Sequence, residues 1–94
     1  MRTGVSALGC VLPEKDEHTA AGARDIADRL VACLPSMLLA WYHASHRGVR
    51  VDVDAGGGTV AAHFLNLLHG EMPPLSWERA LHTSLNLYAE HEFN

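Results

Sequence analysis

LPSMLLAWYH (34–43) carries six consecutive apolar residues, Met37 to Tyr42, and a helix built from them has no solvent face. Such a helix has to be covered on every side. Upstream, Ile26, Leu30, Cys33 and Leu34 form one apolar stripe with Arg24, Asp25, Asp28 and Arg29 opposite, so the segment is expected to be a single helix over about 20–46, kinked near Pro35. From Arg24 to His46 it spans about 35 Å at 1.5 Å per residue. A compact domain of this size is only about 32 Å across, so the rest of the chain offers too little to enclose it.

Working outward, MRTGVSALGCVL (1–12) places Val5, Leu8 and Leu12 at helical spacing with no cap before them, as in the tail of a helix. PEKDEH (13–18) is expected to be a polar loop, and Thr19 an N-cap for the long helix. Gly48 should stop that helix. Val49, Val51 and Val53 then alternate with Arg50, Asp52 and Asp54, an extended pattern with no partner strand, best placed at a loop edge. The glycines 56–58 make a turn, because no strand feeds them and no Lys-Ser/Thr follows as a phosphate loop requires. Thr59 is expected to cap a helix over 59–69 with Val60, Phe64, Leu67 and Leu68 facing inward and Gly70 as its stop. After the rigid Met72-Pro73-Pro74, Ser76 is the expected cap of a last helix over 76–93, with Glu78 in its first turn opposing the helix dipole. Leu81, Leu85 and Tyr88 share a face, and Ala80, Leu87 and Ala89 widen the apolar arc until that helix too needs neighbours on several sides. The expectation is an all-α chain whose two ends cut through helices.

Ninety-four residues allow one domain at most. A formal charge of −4 argues against a nucleic-acid partner bound through a basic surface. No apolar run approaches a bilayer span, and the N-terminus lacks the pattern of a signal peptide, so neither a membrane partner nor secretion is expected. Cys10 and Cys33 have no metal-site or disulfide-scaffold spacing, which suits thiols in a reducing, cytoplasmic setting.

Seven histidines are the compositional excess. Imidazole serves as metal ligand, acid–base group or hydrogen-bond donor near neutral pH. His43 and His46 share a helix face and could supply two ligands to zinc, but no further Cys or acidic partner sits at matching spacing, so no metal is expected. Neither His63 with His69 nor His82 with His91 shares a face. His18 reads as a solvated loop residue, and His43, His63, His69 and His82 as packing or surface residues. His91 stands between Glu90 and Glu92 on a helix face with Ser84, Leu87 and Tyr88; its context alone favours a hydrogen-bonded core histidine.

Four blocks in order, PEKDEHTAAGARDIADRL (13–30), LPSMLLAWYH (34–43), HFLNLLHGE (63–71) and LYAEHEFN (87–94), resemble citrate synthases, and among them 2-methylcitrate synthases. The resemblance runs over essentially the whole chain. It implies a Claisen-type condensation of propionyl-CoA or acetyl-CoA with oxaloacetate by a homodimer built from a large and a small helical domain. Residues 1–94 would then be a fragment of the large domain, with the small domain absent. It also implies that His91, in the AEHEFN-type motif, donates a hydrogen bond to oxaloacetate. Such a donor belongs where negative charge develops on the attacked carbonyl. The family's catalytic residues fall in motifs this chain does not contain, so no catalytic residue is assigned and the isolated chain is expected to be inactive. Acyl-CoA enters as a substrate, and no cofactor is implied. Dimer contacts are expected around 1–12 and 24–46. The rival reading is a non-catalytic helical module that self-associates through Met37–Tyr42 and the N-terminal piece.

Overall fold

The computed structural model describes residues 1–55 and 57–89. Helices α1 (Arg2–Val11), α2 (Ala20–Arg47), α3 (Val60–His69) and α4 (Leu75–Ala89) follow one another with no strand among the described residues, so the chain is all-α as its sequence predicts. After Gly48 the chain divides into two compact units.

In the first unit, α1 turns its Val5 and Leu8 partly inward, as their spacing requires, and none of its residues is fully buried. Gly4 lies against α2: a Cβ at that position would come within 2.8 Å of Met37 Sδ. The expected polar loop contains a turn of 3₁₀ helix, Pro13–Asp16, which Pro13 favours because its φ is already set for a helical turn. Thr19 caps α2, its hydroxyl accepting the Gly22 N–H at 3.2 Å. The helix then runs without a break through Pro35, whose ring removes the N–H that would bond to the Val31 carbonyl. Gly48 ends it in the left-handed region (φ 66°), its N–H bonding to the His43 carbonyl. Ile26, Leu30, Cys33 and Leu34 are half-buried, while Arg24, Asp25, Asp28 and Arg29 are exposed, so the amphipathic stripe is where the sequence puts it. Along the apolar run, only Leu39 is fully buried, whereas Leu38 and Trp41 are exposed, Trp41 by 59%.

The alternating valines 49–53 form no strand, and the segment is a loop as the missing partner suggests, closed by a turn: the Ala55 N–H bonds to the Asp52 carbonyl at 3.2 Å and the Asp54 N–H to Asp52 Oδ1 at 3.1 Å. Asp side chains commonly bond to backbone two residues on, as this one does. Thr59 caps α3 by accepting the Ala62 N–H at 3.1 Å, and Gly70 closes it with φ 81°. The inward face of α3 is centred on Ala61, Ala62, Leu65 and Leu67, with Phe64 and Leu68 half-buried. Val60 is exposed instead of inward, because as the first helical residue it stands where the chain enters from the loop. Burying a leucine such as Leu67 contributes roughly 1.5–3 kcal/mol.

Helix α4 packs on α3. It starts one residue before the expected position, at Leu75, and the Trp77 and Glu78 N–H groups bond to the Pro74 carbonyl at 2.9 and 3.1 Å. Ser76 is therefore inside the first turn and not the cap, since the locked φ of Pro74 already feeds its carbonyl to the helix start. Glu78 is in the first turn as anticipated. None of the residues of α4 is buried; Leu81 is half-buried, while Leu85, Leu87 and Tyr88 are 43%, 73% and 72% exposed.

Candidate functional site

The last turns of α2 gather aromatic and basic side chains. His46 donates from Nδ1 to the Tyr42 carbonyl at 3.1 Å and stacks on the Tyr42 ring, centroids 4.9 Å apart and planes 25° from parallel. It also meets the Trp41 ring edge-on at 5.4 Å, and the Arg47 guanidinium lies 5.7 Å from the Tyr42 centroid. His43, one turn earlier, is 5% exposed with its ring edge toward Tyr42 at 5.5 Å. The two histidines that share a face by spacing are thus separated by burial: His43 is inside, and His46 is outside with its donor nitrogen engaged. No three His, Cys, Asp or Glu side chains among the described residues stand where they could hold a metal ion. The thiols of Cys10, exposed, and Cys33, half-buried, are free.

Of the other described histidines, His63 and His69 lie on α3, His82 on α4, and His18 in the loop before α2. His63 is half-buried, His69 is exposed and presents its ring to Trp77 at 5.6 Å and 65°, and His82 and His18 are exposed. His91, the expected oxaloacetate contact, lies outside the described residues, as do its neighbours Glu90 and Glu92.

What the structure adds is how α4, the helix that leads toward that motif, is set against α3. The Thr59 hydroxyl has two bonds. It accepts the Ala62 N–H at 3.1 Å and donates to Glu78 Oε1 at 2.7 Å, nineteen residues away. The geometry leaves the hydroxyl proton one direction, toward the carboxylate. Glu78 is half-buried in the first turn of α4, so its charge meets the positive end of its own helix while bonded to the cap of α3. Both residues stand out in the sequence as features of separate helix starts; nothing in the sequence pairs them.

The corresponding local arrangement in the first unit stays within three residues of its cap. Glu17 Oε1 accepts the Thr19 N–H at 3.0 Å, and that bond, with a smaller contribution from the Thr19 hydroxyl, holds the Glu17 carboxyl below its ordinary value of 4.5. No helix among the described residues is long and apolar enough to cross a membrane.

Comparison with known proteins gives this all-helical chain its context. The family model described as citrate synthase, C-terminal domain, matches residues 1–94. A 2-methylcitrate synthase of Shewanella oneidensis is 47% identical over 94 residues, covering 100% of this chain and 24% of the relative. A 2-methylcitrate synthase of Mycobacterium tuberculosis is 36% identical over the same span, with 23% of its own length covered. A citrate synthase of Mycolicibacterium smegmatis is 33% identical, again over the whole chain and 25% of the relative. The chain therefore spans about a quarter of the length of the curated relatives it matches. With the family model matched from end to end and helices where the sequence predicts them, the chain belongs to the citrate synthase family.

Proposed function

We propose that this chain is one portion of a 2-methylcitrate or citrate synthase, a cytoplasmic enzyme that joins propionyl-CoA or acetyl-CoA to oxaloacetate. The observation that carries this is the 47% identity to a 2-methylcitrate synthase over every residue of the chain. In the reaction, the carbon next to the thioester carbonyl loses a proton and attacks the keto carbon of oxaloacetate. A carbon–carbon bond forms, and the keto oxygen takes the electron pair and then a proton; water then cleaves the thioester C–S bond of the condensed product, leaving a carboxylate and releasing CoA as the thiol. His91 is the residue of this chain that meets oxaloacetate, donating a hydrogen bond where that negative charge develops. Acyl-CoA is consumed as a substrate, and no resident cofactor is required by this chemistry.

The groups that enolise the thioester belong to parts of the enzyme outside these residues, so the 94-residue chain alone should release no CoA thiol from propionyl-CoA and oxaloacetate. The direct test places residues 1–94 in a full-length synthase, replacing the matching quarter of the Shewanella oneidensis enzyme. Thiol release is expected, and His91→Ala should lower kcat/KM for oxaloacetate by about 10²-fold, as loss of a donor to a developing oxyanion does. An unchanged kcat/KM in that variant would remove His91 from the site.

A second reading is supported by the apolar side chains that α1 and α2 leave exposed, Val11, Val31, Leu38 and Trp41. They fit subunit contacts around 1–12 and 24–46 in a homodimer, or self-association of the isolated chain. Light scattering of the 94-residue chain that showed a monomer at tens of micromolar would count against both.

A further inference from the structure

We draw no further inference here: the strongest candidate, the surface patch of aromatic and basic side chains that Trp41, Tyr42, His46 and Arg47 form at the end of α2, lies on a single helix of a chain spanning about a quarter of its relatives' length, and nothing in the structure shows what covers it.

Discussion

Helices α2 and α3 begin on the same device and use it differently. Each starts on a threonine whose hydroxyl accepts an N–H three residues on, from Gly22 at 3.2 Å and from Ala62 at 3.1 Å. Each threonine is also bonded to a glutamate. At α2 the partner is Glu17, two residues earlier, reached through the Thr19 N–H. At α3 it is Glu78, nineteen residues later and on another helix, reached through the Thr59 hydroxyl itself. The first cap is closed within its own turn of chain, while the second joins two helices. A capping threonine therefore satisfies the helix start in both places, but only the second also carries tertiary information.

The position three residues past each cap sharpens the contrast, with the largest expected effect at α2. Gly22 is buried beneath its own cap: a Cβ there would overlap the Glu17 side chain and come within 2.8 Å of the Glu17 carbonyl oxygen. Gly22→Ala should therefore destabilise the chain by about 1–3 kcal/mol, despite alanine's better helix propensity, because a backbone atom has to give way. Urea unfolding followed by circular dichroism measures it, and a stabilised variant would show that the Glu17 turn is softer than its geometry. Ala62, in the matching position of α3, is 2% exposed and has room for its methyl; Ala62→Gly should cost about 1 kcal/mol by the same measurement.

Removing the hydroxyls ranks next. Thr59→Ala deletes a cap and leaves the half-buried Glu78 carboxylate without this donor, so about 1–2 kcal/mol is expected, whereas Thr19→Ala loses only a cap, about 0.5–1 kcal/mol. Equal losses at the two sites in parallel urea titrations would mean that the bond to Glu78 adds nothing to stability.

That difference also marks how far the sequence could be read. Thr19, Gly48, Thr59 and Gly70 were legible as helix punctuation because capping is decided by residues within one turn of each other, and all four stand where local chemistry places them. The stripe from Ile26 to Leu34 was legible for the same reason. Ser76 misled because Pro74, two residues before it, starts the helix with its carbonyl. Val60 misled because its periodicity is that of a full helix while its position is an entrance. Among the site residues, His91 is marked only by resemblance in a motif, and the pairing of Thr59 with Glu78 by nothing local, since a bond over nineteen residues depends on how two helices pack. The exposed Leu87 and Tyr88 show the same limit from the other side: an apolar arc states that a face wants a neighbour without saying which one.

The smallest expected effect tests the local cap through pH. The Thr19 N–H, and secondarily its hydroxyl, favour the ionised form of Glu17 in the folded chain, so the folded carboxyl titrates below its ordinary value of 4.5. A group whose pKa is depressed by folding stabilises the fold in its ionised state. That contribution is complete at pH values above the ordinary carboxylate value and is lost as pH falls through the folded one. Glu17→Gln removes it, so the difference in Tm between parent and variant should be constant above about pH 6 and shrink below about pH 4. The backbone bond is the larger cause, and Thr19→Ala keeps that N–H. Most of the pH dependence should therefore survive in Thr19→Ala, and its disappearance there would shift the source of the effect from the backbone to the hydroxyl.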